Sequence, residues 1–551
     1  MSSCKFLPVL AAALFLSACV NIDPELGSSM VPVSSTYKVV TPAAIPIGVK
    51  QLMADSLSGF SNNRITIGAI RQDADFGLTT RASVISFVPL FSTKHNMGTD
   101  RKFISMHFSV ALDSISVENK AEAGILQSVG VYEASRPVDF KSDGNCNATF
   151  PHGTVRVSSG VPVINGEDSL SVWFTEEYGS KYLKADKYMA QGFDAYTEQL
   201  PGIYLDTPLP AGQGGRINIF ELQLGYNSDY GYITGNYATL NYSAVYNGER
   251  RDTSVFFYLA ATGLYDLDSL STNYGTGSFP QYALNLTGHQ TSALAGDTAA
   301  QVLVEGGGGL KPVVSAAEIR QAMINEIDSR EGAGAHSRAV INRATLNFHY
   351  VDEFAGAGNY ELLYKLPQIL SPTCRLRASD TAVTFMGLTD SSSSEENQGD
   401  RDLSLLSFNP DITYHAQELL NMEADNAGLA AGNYDIWLLI MHKDLVTTTS
   451  SGNSDLSDYY QYLAYQSYMS NMYGGYGGYG GYGYGYGSYG YSNYYNYSML
   501  AQMYGQSTTS TSTQTNLDRD RYYCCRLYGP TAASPELRPT LSFTYSVPNK
   551  K

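Results

Sequence analysis

The sequence predicts a mainly β protein built as two β-sandwich modules of jelly-roll type. Three observations carry this. Short stretches alternate apolar and polar residues with the period of two that turns one face of a strand toward a core. Clusters of Gly, Asn, Asp and Ser separate these stretches at the spacing of turns. Only residues 315–328 repeat their apolar positions with a helical period.

The strands follow in order along the chain. "FISMHFSV" sets Ile104, Met106, Phe108 and Val110 on one face and Ser105, His107 and Ser109 on the other. "RATLNFHYV" does the same with Ala344, Leu346, Phe348 and Tyr350, and the closing "TLSFTYSV" with Leu541, Phe543, Tyr545 and Val547. "SLSVWFTEEY", "RINIFELQLGY", "TSVFFYLAA" and the nearly all-apolar "YDIWLLIM" read as further strands. In the one helix, "SAAEIRQAMINEID", Ser315 and Glu318 form a capping box, and Ile319, Ala322, Met323 and Ile327 share a face.

The N-terminus predicts an address. Residues 1–18 hold the single cation Lys5, an apolar run and small residues before Cys19, the pattern of a secretory signal peptide. The order "LSAC" is that of a bacterial lipobox, which makes Cys19 the lipid attachment site and the first mature residue. Acyl chains contribute about 0.8 kcal/mol per buried CH₂, so a multiply acylated Cys19 anchors the chain to a membrane. No later run reaches the roughly 20 apolar residues of a spanning helix. Residues 19–37 read as a polar tether, 38–304 as an N-terminal β-rich domain, and 305–551 as a C-terminal one. The junction falls at "EGGGGLKP". Residues 388–402 read as a solvated loop, and 450–516 as a disordered, Tyr/Gly-rich, low-complexity insertion.

A net charge of −17 argues against nucleic-acid partners. Four cysteines remain beyond the anchor, namely Cys146, Cys374, Cys524 and Cys525. In an oxidising compartment they are candidate disulfide partners in any of three pairings. Cys524 and Cys525 would face opposite sides of a strand, leaving one of them to reach Cys374. No C-x₂-C spacing points to zinc, and no other metal or cofactor is implied.

The search for catalytic motifs is negative: there is no G-x-S-x-G, H-E-x-x-H or G-x-x-x-x-G-K-[ST]. The glycine run 306–309 resembles a phosphate loop, but Pro312 follows Lys311 and the helix begins later, so a turn with close backbone approach fits better. The eight histidines, at 95, 107, 152, 289, 336, 349, 415 and 442, read as surface or satisfied side chains. Glu176 and Glu177, adjacent on an expected strand, would face apart. Asp266 and Asp268 read as a solvated turn. Trp173 and Trp437 sit within apolar strands and are expected in the core. In the tract "NMYGGYGGYGGYGYGYGSYG", Tyr476, Tyr479, Tyr482, Tyr484 and Tyr486 are the candidate ligand contacts, for stacking on sugar rings.

Several phrases occur in a suggestive order: "DPELGSSMVP", "TIGAIRQDADFGLTTRASVISFVPL", "DSISVENKAEAGILQSVGVYEAS", "LVEGGGGLKPVV" and "AVINRATLNFHYV". Together they resemble a family of bacterial outer-membrane lipoproteins catalogued as domain of unknown function 4270. The resemblance implies a lipid-anchored, β-rich envelope protein without a catalytic motif, and carries over Cys19 alone. The expected role is therefore structural, in assembly, or in binding an envelope protein or glycan. The alternatives are a surface glycan-binding or adhesin-type lipoprotein using the Tyr/Gly loop and, less favoured, a glycan hydrolase.

Overall fold

The computed structural model of the chain describes residues 36–549, apart from positions 56, 62–63, 73–74, 92–94, 140–141, 223, 228–231, 261–280, 354–362, 378–382, 389, 391–397 and 450–508. Strands hold 47% of the residues against 18% in helices, and the sheets do not close into barrels, so the class is mainly β.

The first unit is organised on the strand Leu78–Pro89, whose residues from Arg81 onward are all buried. Its first half pairs with Arg64–Arg71 and Ala283–His289, and its second half with Ile203–Asp206 and Glu249–Ala260. Both of its faces are packed, Ala82 and Val84 in one apolar cluster and Ile85 and Phe87 in another, which is why it does not alternate. From it runs an antiparallel series: Glu249–Ala260, Ala238–Tyr246, Thr99–Val110 and Leu170–Trp173. Met106, Phe108, Val110, Leu170, Val172, Leu240 and Phe257 form the inner face of this series.

Two expectations are corrected here. Ile104 does not join the buried face. The pairing slips between Asn241↔Ser105 and Tyr242↔Phe103, so Ile104 is the extra residue of a bulge and is 50% exposed, while Phe103 packs toward the core. The "SLSVWFTEEY" strand stops at Trp173, because Thr175 caps a helix, its side chain accepting from Tyr178 N–H at 3.3 Å. Glu176 and Glu177 occupy that helix's first turn rather than a strand. After this helix, Glu176–Gly179, come the short helices Ser180–Lys184, Ala185–Met189 and Phe193–Gln199, and together they lay Tyr178, Tyr182 and Tyr196 onto the sheet. Asp186 ties them down, both carboxylate oxygens meeting Arg101 at 2.5 Å. The chain thus has several helices where one was expected.

The second unit encloses the largest core. Strands Val340–His349 and Thr540–Pro548 pair in register and bury Ala344, Leu346, Phe348, Leu541, Phe543, Tyr545 and Val547, as their alternation predicts. Opposite them lie Leu310–Val314, Ile436–Thr449 and Ile369–Arg377. The helix Ala316–Glu331 starts at its expected cap, Ser315, and packs Ile319, Met323 and Ile327 against this core. Helix Thr413–Asn421 joins it.

The division between units differs from the expected one at 304/305. Tyr37–Val40 pairs with Thr540–Pro548, and Lys50–Met53 with Leu310–Val314 and Gly296–Asp297. The strands within residues 37–53 and the described strands from Gly296–Asp297 onward therefore pair with one another, in the second unit. The low-complexity reading also extends too far. Thr509–Leu517 is a strand in register with Ile436–Thr449, because "TSTSTQTNL" is rich in β-branched threonine. Positions 450–508 therefore lie between hairpin partners, Thr449 opposite Thr509.

Candidate functional site

The densest chemistry lies where the two units meet, around the glycine run. Residues 306–309 connect Gln301–Glu305 to Leu310–Val314 and wrap the ammonium of Lys311, a residue only 1% exposed. Nζ donates to the carbonyls of Glu305 (2.5 Å), Gly307 (3.0 Å) and Gly309 (3.1 Å). Three N–H groups thereby meet three acceptors. Glycine is required because the backbone is crowded. A Cβ on Gly306 would lie 2.5 Å from the Arg521 carbonyl oxygen, and Gly307 has a φ of 57°. The expected turn with close backbone approach is present, but it is a packed junction rather than an exposed linker.

Side chains of both units converge on this loop. Glu305 Oε2 accepts from Thr291 Oγ1 at 2.5 Å and from Leu310 N–H at 3.1 Å, while Oε1 faces Nδ1 of His289 at 3.4 Å. The His289 side chain is completely buried and neither ring nitrogen has a hydrogen-bond partner, contrary to the expectation of a surface or satisfied histidine. Arg81 donates through Nη1 to the Thr80 carbonyl at 3.0 Å, and its Nε and Nη2 are without hydrogen bonds. Asn147 donates to the Gly308 carbonyl at 2.9 Å and accepts from Thr287 at 2.6 Å. Arg519 donates to the carbonyls of Ser58 and Phe60, and Asp518 accepts from Tyr523 at 2.7 Å. A water-sized cavity lies alongside, lined by Ser58, Cys146, Asn285, Thr287, Gly307 and Arg519.

Burial dominates the electrostatics. It lowers the His289 pKa, so the imidazole is neutral at pH 7. It draws Lys311 down to about 7 against the attraction of Glu305. Burial alone would raise Glu305, yet its carboxyl stays below the ordinary value. The His289 ring beside it, and then the hydrogen bonds from Thr291 and Leu310, offset that burial. Chemically this is a lock in which Lys311, Asn147, Arg519 and Asp518 join segments from Ser58 to Tyr523, while the unbonded nitrogens of Arg81 and His289 are enclosed beside them.

A second constellation lies on the outer face of the first unit. Trp173, expected in the core, is 53% exposed. Leu170 and Val172 take the buried positions of its strand, so the alternation that buries them turns Trp173 and Ser171 outward. Its ring lies over His107, with centroids 4.4 Å apart and planes at 37°. Nε2 of His107 is 2.8 Å from Ser171 Oγ. On the neighbouring strands Asn241 donates to Ser105 Oγ at 2.9 Å and accepts from Ser254 Oγ at 2.6 Å. Burial lowers the His107 pKa, which leaves the ring uncharged at neutral pH. Trp437, in contrast, is 3% exposed as expected, edge-on to Phe385 at 5.2 Å.

Other expected site residues fall as follows. Cys146, Cys374, Cys524 and Cys525 are all buried free thiols, so the expected disulfides are not formed. Cys524 and Cys525 do face opposite sides of their strand, into two different core clusters. Cys525 shares a core with Cys374, whose Sγ instead donates to the Tyr434 carbonyl at 3.7 Å. Cys19, Asp266, Asp268, Tyr476, Tyr479, Tyr482, Tyr484 and Tyr486 lie outside the described residues. Among the described residues no group of three or more His, Cys, Asp and Glu side chains is arranged to hold a metal ion, and no helix is long and apolar enough to cross a membrane. Sequence reasoning missed Arg81 and took His289 for a surface or satisfied histidine. The one signal was Lys311, a lysine directly after four glycines and before an apolar run. Comparison with known protein families, with curated proteins and with solved structures finds no match.

Proposed function

We propose that the chain is a lipid-anchored outer-membrane protein of the cell envelope, with a structural, assembly or binding role rather than a catalytic one. The observation that carries this reading is the burial of Lys311, Glu305, His289 and Arg81 at the junction of the units. Groups that elsewhere serve as acids, bases or anion holders are here enclosed, Lys311 bonded to backbone and Glu305 to Thr291 and Leu310. They stiffen a two-unit body, and the outer faces are left to make contacts. The sequence before that body supports anchoring. Seventeen residues separate Cys19 from Tyr37, a reach of at most about 60 Å at full extension.

The test is fractionation of cells expressing Cys19→Ala beside the unaltered protein, followed by gentle detergent extraction of the latter. Release of the variant from the membrane fraction, and co-purification of an envelope component with the unaltered protein, are expected. Retention of Cys19→Ala in membranes would remove the anchor from this reading. A protein that purifies alone at native abundance would remove the assembly role.

A further inference from the structure

We propose that the outer face of the strands Leu170–Trp173, Thr99–Val110, Ala238–Tyr246 and Glu249–Ala260 is a binding site for a neutral polysaccharide, with Trp173 as the stacking platform. The inference concerns a different surface from the tyrosine tract and adds a ligand class to the binding role proposed above. For biological access to such a polymer it rests on that envelope reading.

The composition of this face differs from that of a solvated sheet surface. A pyranose ring presents a flat patch of C–H bonds edged by hydroxyls. Its complement is an exposed aromatic ring flanked by neutral groups that both donate and accept hydrogen bonds. Trp173 supplies the ring, and His107 beneath it at 4.4 Å restrains its orientation. Trp173 is opposite His107 in register, and His107 opposite Thr239. Ser171, Ser105, Asn241 and Ser254 continue the same face across the sheet. The side chains of Asn241, Ser105 and Ser254 are already hydrogen-bonded together, so they are held in place before any ligand arrives. Four strands at a spacing of about 4.8 Å make a row of roughly 15 Å, the scale of a short oligosaccharide.

Charge narrows the ligand further. The residues of this row carry no ionised group near Trp173. The charged residues of these four strands collect at their far end, where Arg250 pairs with Asp100 and Arg251 with Glu249 at 2.6 Å. Beyond Trp173 the chain continues into exposed Glu176 and Glu177, and the protein as a whole carries −17. An acidic polysaccharide would meet repulsion at that edge and no compensating cation at the platform, so the face suits an uncharged one.

The experiment is affinity electrophoresis of the full-length protein, purified in mild detergent, through native gels containing a neutral β-glucan, a mannan or an α-glucan. At least one polymer is expected to retard the protein, and Trp173→Ala to weaken the retardation about tenfold, the effect of losing one aromatic contact. Trp173 is half exposed, so the variant should keep the melting temperature of the parent, and the melt is measured alongside. Asn241→Ala should weaken binding several-fold. Absence of retardation in all three gels overturns the proposal. So does retardation that Trp173→Ala leaves unchanged, which would place the glycan elsewhere, the tyrosine tract included. A concentration-dependent dimer that the variant loses, without retardation, reassigns the face to a second copy of the chain. Membrane release of the unaltered protein would sink the envelope reading while leaving this result standing.

Discussion

Lys311 and Gly307 are joined by a hydrogen bond of 3.0 Å from the lysine ammonium to the glycine carbonyl, inside a loop that the lysine's own backbone helps to close. A cation is thus held mainly by main-chain dipoles, with one carboxylate nearby. Such an arrangement is stable only while every donor and acceptor in it keeps its partner.

Lys311→Met keeps the length of the side chain and removes its charge. Three carbonyls then lose their donor, and Glu305 loses the cation nearest its loop. Leaving buried acceptors without their donor costs about 1–3 kcal/mol each, so the midpoint of chemical denaturation should fall sharply. A shift worth under about 1 kcal/mol would show that the loop does not depend on the ammonium.

Gly306→Ala places a methyl 2.5 Å from the Arg521 carbonyl oxygen, a backbone atom that cannot swing away. Overpacking of this kind costs roughly 1–3 kcal/mol. Gly124→Ala is the control, since nothing lies within 4 Å of a Cβ there, and it should stay within about 0.5 kcal/mol of the parent. Equal melting temperatures for the two variants would contradict the crowding at the junction.

The buried groups make stability depend on pH with a definite sign. His289 and Lys311 have lowered pKa values in the folded chain, so the unfolded chain binds more protons over the windows below 6.5 for the histidine and between about 7 and 10.5 for the lysine. Glu305 is also lowered, and its unfolded form takes up a proton as pH falls toward its ordinary value of 4.5. All three make stability rise with pH and fall on acidification. Thermal melts from pH 9 to 5 should decline, and His289→Gln should flatten the part of the decline below pH 6.5. An unchanged slope in that variant would place the proton uptake elsewhere.

Four buried free thiols predict a specific alkylation pattern. Without reductant, iodoacetamide should leave Cys146, Cys374, Cys524 and Cys525 unmodified in the folded protein and modify all four in denaturant, each adding one label by mass spectrometry. Burial also raises the pKa of each, which slows reaction further. A denatured protein that takes up only two labels would reveal a disulfide.

Where one face of a strand meets a core, the alternation was legible. Val340–His349 and Thr540–Pro548 bury the residues their pattern selects, and Ser315 starts the helix it was expected to cap. Legibility ended where the local pattern had more than one solution. In "SVWFTEEY" the apolar positions fit a strand throughout, and the cue for a stop, Thr175 followed by two glutamates, is a helix-start signal that the apolar run obscured. Ile104 was misassigned because a bulge adds a residue to one strand only in relation to its partner. Trp173 faces out despite its apolar ring because phase overrides hydrophobicity: Leu170 and Val172 occupy the buried side.

The mainly β class, the strands that alternate cleanly, the long helix with its cap, and the opposed directions of Cys524 and Cys525 were all readable from the amino-acid order alone. Each of these rests on interactions between residues close along the chain, or on a period that a single strand carries. The tertiary structure alone decided that residues 37–53 complete the second unit, that Lys311 is enclosed by its own glycine loop beside Glu305, His289 and Arg81, and that Trp173 faces outward beside His107. These depend on pairings between segments tens to hundreds of residues apart. Such a partner is chosen by the summed burial and hydrogen bonding of the whole fold, and no local pattern records that choice.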